Sequence, residues 1–495
     1  MVLDRVAVGE FDLGSRLNHA NIRHEFPVEL LDGHRLGGSQ FNGGAGRHRV
    51  YDRIGHRTAR GVPHLRIDGG RFALKRECQD EKRKRATHAR ILAALLASAL
   101  VSVTACRASE DIRTEADPFS AGRPILELRP RYNRIDESTK PLLTEGFTYR
   151  AIAGWRSAPW HGWRVTAEAI NTDHIGRKRF NDDGAQFATS PYPLLPDPRY
   201  SGANQLYVEY AKTDAFHARI GRQRVGMDNH RWISDNDFRQ IPQLFDGLEL
   251  ATTALANTQL SASHFRRVRT TSGIVNRLEL TLLHAAYNPF PGHALAAYGY
   301  FHDQPVNGAF TGFANSSYRV AGARAEGAFH AADLHFPYTL EAAKQRPFAG
   351  GDGRIDARYW RLGSGVAWRD MTLRYDEELK SSNNGRYGLQ MPLTDFYAFN
   401  GWTLHFFNTP FQGLRDRWVT LRAGYLPANL VFYAEAHRFR SDFRDLDFGR
   451  ETDVGLSWSF MGGTVVRFQH GRYEPGSGQV APRIHKTWIT LTYTY

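Results

Sequence analysis

Ile125-Leu126-Glu127-Leu128-Arg129-Pro130-Arg131-Tyr132-Asn133 alternates in character residue by residue. Successive side chains of an extended chain point to opposite faces, so Leu126, Leu128 and Tyr132 share one face while Glu127, Arg129, Arg131 and Asn133 share the other. A soluble barrel packs its apolar face inward. An interior of carboxylates and guanidiniums reads the other way, with apolar side chains facing lipid and charged ones lining water.

The pattern recurs along the chain. Phe147, Tyr149, Ala151, Ala153 and Trp155 oppose Arg150 and Arg156, and Trp163, Val165, Ala167 and Ala169 oppose Arg164 and Glu168. Further on, Trp360, Leu362, Val366 and Trp368 oppose Tyr359 and Arg361, and Val454, Leu456, Trp458 and Phe460 oppose Asp453, Ser457 and Ser459. A soluble β-sandwich with one wet face also alternates. Two features favour the membrane: aromatics gather at strand ends on the apolar face, and connections alternate in length. Short links at Lys212 to Ala215, Asn288 to Gly292, Arg369-Asp370 and Phe460 to Gly463 take turns with long ones near 174–203, 226–245, 303–317, 379–416 and 474–485. The expected fold is an all-β transmembrane antiparallel barrel of about 18 strands, with short periplasmic turns and long extracellular loops. Weak patterning near 246–269 and 318–346 leaves that count open by two strands.

Composition agrees. Aromatics make up 12% of the 495 residues, with ten Trp and 21 Tyr, while Cys and Met are scarce. The one long apolar run, Ile91 to Ala105, is too short for a spanning helix. Preceded by Lys82-Arg83-Lys84-Arg85 and Arg90 and ending in Val103-Thr104-Ala105, it reads as an export signal. The expected division is therefore 1–81 outside the mature protein, 82–105 signal peptide, 106–122 an N-terminal periplasmic segment and 123–495 the barrel. Cys106 directly after the cleavage pattern also fits a lipoprotein signal, and with Cys78 outside the mature chain no internal disulfide can form. Of the net charge of +13, residues 1–105 carry more than half, with 18 Lys+Arg against 11 acids. The remaining 46 against 40 is too weak a balance for a nucleic-acid partner. Forty of those 46 are Arg.

Two segments carry a family resemblance. Ala218-Arg219-Ile220-Gly221-Arg222-Gln223-Arg224, followed by Asp228-Asn229 and Phe245-Asp246-Gly247, resembles a strand, loop and returning strand of the alginate-export family of outer-membrane porins. Leu393-Thr394-Asp395-Phe396-Tyr397-Ala398-Phe399-Asn400-Gly401-Trp402, with Thr409-Pro410, Gly413-Leu414 and Asp416, resembles a loop of the same family. The ending Trp488-Ile489-Thr490-Leu491-Thr492-Tyr493-Thr494-Tyr495 is similar to the signal by which outer-membrane barrels are recognised for assembly. The resemblance covers roughly 123–495. It implies a channel in the outer membrane of a Gram-negative cell, its partners being outer-membrane lipid, the barrel-assembly machinery and a solute. That solute is an anionic polysaccharide such as a polyuronate or, as the alternative, a small organic acid taken up. One departure is clear. The family's export uses a gating periplasmic turn, and every such link here is short.

Arginine on a lumen face binds carboxylates bidentately with a charge that never titrates away. By parity the candidates are Arg129, Arg131, Arg150, Arg164, Arg361, Arg374, Arg422 and Arg467, with Glu127, Glu168, Glu209, Asp376 and Glu435 as partners. Arg219, Arg222 and Arg224 join them from the family-like segment, where Gly221 and Gln223 interrupt the alternation. The bland reading is that such charges pair across strands to hold the wall. Tyr207, Tyr359 and Tyr433 sit at lumen parity for sugar stacking or for packing beneath a loop, and Phe396, Phe399, Trp402, Phe406, Phe407 and Phe411 make the 379–416 segment too apolar to extend into water. His217, His284, His302, His335 and His437 lie singly, without metal-ligand spacing or a nucleophile motif, so an outer-membrane hydrolase is the weaker rival and no catalytic residue, metal or cofactor is expected. Translation is expected to start near Leu74, because residues 1–73 lack strand or helix periodicity. Peptide mapping of the exported protein checks this: peptides from residues 1–70 would overturn it.

Overall fold

Period-two patterning becomes one closed sheet of 18 strands in the computed structural model, which describes residues 117–182, 189–213, 215–304, 313–426, 429–460 and 463–495. β1 (Arg123–Glu137) pairs antiparallel with β2 (Thr144–Arg156) on one side and with β18 (Ile484–Thr494) on the other, which closes the barrel. The wall continues through β3 (Trp163–Arg179), β4 (Tyr200–Thr213), β5 (Phe216–Gln223), β6 (Leu244–Thr252), β7 (Thr258–Arg269) and β8 (Val275–Tyr287). Next come β9 (His293–Asp303), β10 (Tyr318–Ala331), β11 (Leu334–Pro347), β12 (Ala357–Trp368) and β13 (Met371–Lys380). β14 (Leu414–Leu426), β15 (Leu430–Arg440), β16 (Asp447–Phe460) and β17 (Thr464–Glu474) complete it. Strands follow one another around the barrel in chain order. No α-helix occurs among the described residues, and none is long and apolar enough to cross a membrane. Segments 1–81, 82–105 and 106–116 lie outside the described residues, Cys78 and Cys106 with them.

Closure leaves no edge strand, and the ladders pair the wall's backbone strand to strand, the condition for a sheet to cross lipid. Side chains then sort by parity. On β1, Leu128 is 44% exposed to the outside while Arg131 is 1% exposed inside. Trp155, Trp163, Trp368 and Trp458 stand exposed on the outer face near the short-turn rim, as an interfacial aromatic belt requires. Short connections at 157–162, 253–257, 288–292, 332–333 and 369–370 mark that rim as periplasmic. The opposite rim carries the long ones, 180–199, 224–243, 304–317 and 381–413. The weakly patterned stretches are real strands, β6–β7 and β10–β11, so the expected count of 18 holds.

Two of the long connections matter most for function, because both fold into the barrel. Val225, Met227, Trp232 and Ile233 from 224–243 join Tyr387, Leu389, Met391 and Leu393 from 381–413 in one buried cluster with inward side chains of the wall. Those wall side chains, Phe245, Phe265, Leu280, Leu282, Tyr298 and Val320, are apolar although they face the lumen. Gly221 lets the chain reach this point. It adopts φ +130°, and a Cβ there would lie 2.3 Å from the Leu206 carbonyl oxygen, so only glycine fits between β4 and β5. As a test of the outer face, Leu362→Arg places a charge in the lipid band and should lower folding stability by roughly 2–4 kcal/mol in lipid vesicles. Denaturant titration of tryptophan fluorescence measures it, and an unchanged midpoint would contradict the assigned orientation of β12.

Candidate functional site: the arginine-lined lumen

The inward turn after β5 delivers Asp237 to the middle of three arginines. Its carboxylate accepts from Arg129 Nη2 at 3.0 Å, Arg150 Nη2 at 2.9 Å and Arg224 Nη1 at 2.6 Å. Glu127, one step away on β1, also receives Arg150 and lies 3.3 Å from Arg129. Arg131 donates to the Phe238 carbonyl at 2.7 Å and stacks 3.8 Å over the Phe238 ring. Arg239 reaches Asp197 of the 180–199 connection at 3.1 Å, and Gln240 donates to Thr148 Oγ1 at 3.0 Å. Further along, Asp228 pairs with Arg324 of β10 and lies 3.7 Å from His284. Burial would raise the Asp228 pKa, but His284 and Arg324 outweigh it and hold it down at about 2. Burial likewise opposes the charge on Arg224, and Asp237, Asp235 and Glu127 outweigh it to hold the pKa above its ordinary value.

The second inward segment, 381–413, is tied to the first. Ser234 N donates to the Leu393 carbonyl at 2.8 Å and Asp395 N to the His230 carbonyl at 2.9 Å. Arg231 pairs with Glu378 of β13, whose carboxylate also accepts from Asn400 Nδ2 at 2.9 Å. Thr403 N donates to Glu451 at 2.6 Å. Phe238, Phe396, Tyr397, Trp402 and Leu404 pack with Trp488 of β18 in a second apolar cluster. The family-like segment therefore folds inward, as its apolar content implies. Phe399 lies under Arg231 at 4.4 Å, Phe406 is buried, Phe407 packs partly buried and Phe411 stays exposed.

Arg129, Arg131 and Arg150 thus face the lumen at 4%, 1% and 0% exposure, because the 224–243 segment covers them. Of the remaining candidates, Arg164, Arg361, Arg374, Arg422 and Arg467 stand on the wall with side chains half-buried or exposed, and Arg219 is buried on the same wall. Glu209 of β4 accepts from Arg156 at 2.6 Å and Arg164 at 2.7 Å, with Arg219 at 3.7 Å. Asp376 of β13 accepts from Arg361 at 2.9 Å and Arg374 at 2.6 Å. Arg422 sits over Tyr433 at 5.9 Å, and Arg467 shares the inward face of β17 with Gln469 and Tyr473. Glu168 accepts from Asn204 at 2.7 Å and Gln205 at 2.9 Å rather than from an arginine. Tyr207 lies 4.8 Å beneath Arg219, and Tyr359, fully buried, donates to Glu378 at 2.8 Å under Trp232.

Arg222 departs from the expected lumen set. Alternation runs unbroken through Gly221, so Arg222 shares the outer face with Ile220, which is 58% exposed, and pairs with Asp246 at 2.7 and 2.9 Å. Arg219 faces inward by the same parity, and Arg224 does so because the strand has ended and the chain has turned.

One cluster was invisible from spacing. His437 Nδ1 lies 3.0 Å from Asp416, and its Nε2 lies 3.4 Å from Glu435 and 3.8 Å from Asp453. Glu435, His437 and Asp453 offer three ligand atoms within 4.8 Å of one another. The pairing of β15 with β16 places Glu435 directly opposite Asp453, a proximity that no linear motif encodes. Asp228, Asp235 and Asp237 were missed for a related reason. Asp228 belongs to the family-like segment but no role followed from that, and the signal for Asp235 and Asp237 is a density of acids in a segment otherwise rich in aromatic and aliphatic residues.

With this geometry in place, comparison with known proteins is direct. The alginate-export family profile matches residues 148–381. No curated protein sequence matches the chain. The solved structure of Pseudomonas aeruginosa OccK9 (OpdG) is similar with a TM-score of 0.60 at 13% identity, covering 77% of this chain and 99% of its own. Acinetobacter baumannii OccAB2 gives 0.59 at 14% identity, with 77% and 99% coverage. Pseudomonas aeruginosa OpdK with vanillate gives 0.56 at 16% identity, with 77% and 100% coverage. At these identities the likeness shows the fold. The closed 18-stranded wall and its charged interior define a porin-class channel of the outer membrane. The profile match over residues 148–381 supports, more particularly, an outer-membrane β-barrel of the alginate-export type. Proteins of both groups are non-enzymatic channels.

Asp237→Ala tests what holds the inner segment. Three arginines, two of them buried, would lose a shared partner, and the expected cost is roughly 3–5 kcal/mol of stability, accompanied by larger and noisier single-channel conductance. Thermal unfolding and bilayer recording measure the two effects, and wild-type behaviour in both would show that the segment is held by apolar packing alone.

Proposed function

We propose that this barrel passes carboxylate-bearing anions, with small organic acids favoured over a polyuronate. One observation carries the reading: on the open part of the lumen wall arginines outnumber the carboxylates they share. Three surround Glu209 and two surround Asp376, and Arg422 and Arg467 face the same space. A solute carboxylate approaching such a cluster meets guanidinium donors only partly used. Several spaced sites of moderate strength let an ion bind, exchange and leave, as conduction requires. Arg129, Arg131 and Arg150 serve this function indirectly, by holding the 224–243 segment.

The size preference rests on the two inward segments. A polymer needs a continuous wide path, and anchors such as Arg231–Glu378 and Asp237 with its arginines keep the extracellular half occupied. The absence of a long periplasmic turn among the described residues agrees with the same reading. OpdK, similar in fold, was solved with vanillate, itself a small carboxylate. The outward Leu491 and exposed Tyr495 of the last strand are offered to the barrel-assembly machinery.

Planar-bilayer recording tests the proposal. Under a salt gradient the wild type should be anion-selective, and replacing Arg164, Arg219, Arg374 and Arg422 together with Gln should move the reversal potential toward that of a cation-selective pore. Benzoate should block current at lower concentration than an oligouronate. Unchanged reversal potentials would refute the arginine role, and stronger block by oligouronate would restore the polymer reading. Turnover of alginate or lipid by the purified barrel would overturn the channel assignment itself.

A further inference from the structure

The outer wall holds a feature that conduction does not use. On its extracellular part, arginines from neighbouring strands stand directly opposite one another and point away from the lumen. Arg267 of β7 is the cross-strand partner of Arg277 of β8, and Arg319 of β10 is the partner of Arg346 of β11. All four are exposed, and among the described residues no carboxylate pairs with any of them. Like charges placed directly opposite on one face of a sheet repel. Nearby acids are already engaged: Asp246 with Arg222, Glu279 with His264 at 3.0 Å and Arg266 at 3.5 Å, and Asp303 with Ser317. Beside the first pair lies an open hollow of about 670 Å³ lined by Arg266, Arg267 and Arg277 together with those engaged acids, Asp246, Glu279 and Asp303.

Position relative to the lipid band identifies what would relieve that repulsion. The outward face of β11 is apolar or aromatic from Leu334 through Phe336, Tyr338 and Leu340 to Ala342, and then turns basic at Lys344 and Arg346. Eight steps of about 3.3 Å on a strand tilted about 40° rise roughly 20 Å, most of a hydrocarbon band of about 25 Å. The arginine pairs therefore fall at the level of the outer leaflet's headgroups. We propose that this face, over β7, β8, β10 and β11, docks the phosphate groups of phosphorylated lipid in the outer leaflet. A phosphate bridging two guanidiniums is bound bidentately by each and cancels their repulsion. The lipid's acyl chains would then lie along Leu340, Leu334 and Leu295 below, all exposed on the outer wall.

The test uses the full barrel in detergent, titrated with bis-phosphorylated lipid A and followed by native mass spectrometry. The wild type should retain lipid A at least about tenfold more tightly than a variant carrying Arg267→Gln, Arg277→Gln, Arg319→Gln and Arg346→Gln. Dephosphorylated lipid A should bind both proteins equally weakly, and millimolar inorganic phosphate should not displace the intact lipid. Heat-modifiable gel mobility and unchanged single-channel conductance confirm that the variant is folded. Equal retention of lipid A by wild type and variant, binding of dephosphorylated lipid A to the wild type as tightly as bis-phosphorylated lipid A, or displacement by free phosphate would each overturn the proposal. A loss of oligomer in the variant with lipid binding intact would also overturn it, assigning the face to contact between copies of the chain.

Discussion

Asp237 sits where the barrel's problem is most acute. A wall built with charged residues inward would leave guanidiniums crowded around a narrow space, each repelling its neighbours. One carboxylate carried in on the 224–243 segment accepts from Arg129, Arg150 and Arg224 together. Charges taken out of water are tolerable only when paired and hydrogen-bonded on several sides, and Glu127 and the backbone carbonyls of 237–239 supply the rest. This contact positions the segment, and the segment in turn positions the 381–413 connection through Ser234, Asp395 and Arg231.

From this anchor the lumen divides in character. Where the segments lie, the inner wall is apolar: Phe245, Leu280, Leu282 and Tyr298 face inward against Trp232 and Met391. Where they do not reach, the inner wall is arginine gathered around too few carboxylates. A cluster of carboxylates around His437 lies on β14 to β16. A solute passing the barrel therefore meets an electrically structured wall rather than a uniform one, a condition for binding that discriminates while remaining reversible. The outer wall has its own division, lipid-facing aliphatics giving way to unpaired arginines toward the extracellular rim.

How much of this was legible depends on the range of the interaction. Parity is a local property, because the side-chain period of a strand is set by backbone geometry alone. It revealed the outward Leu128 and Trp368, the inward Arg150 and Glu209, and the short turns at 288–292 and 369–370. Arg222 shows the limit of reading a motif in place of parity. Grouped by resemblance with Arg219 and Arg224, it falls on the opposite face once Gly221 carries the alternation through. The stretches 246–269 and 318–346 were weakly patterned for a physical reason. Their strands are apolar inside, against the folded-in segments, and polar outside near the rim, so the usual contrast between faces is reversed or lost.

The sequence by itself determined that this chain crosses the outer membrane as a barrel of about 18 strands, which rim carries the long loops, and that arginine dominates the interior. Each of those follows from near neighbours in the chain. Tertiary structure alone decided which arginines line open space and which are spent on Asp237, that Glu435 and Asp453 meet beside His437, and that four unpaired arginines face lipid in opposed pairs. Those facts come from strand register and from two connections turning inward, which join residues more than a hundred positions apart, as Arg129 and Asp237 are. No local period encodes such a meeting, because it is set by how the whole wall closes.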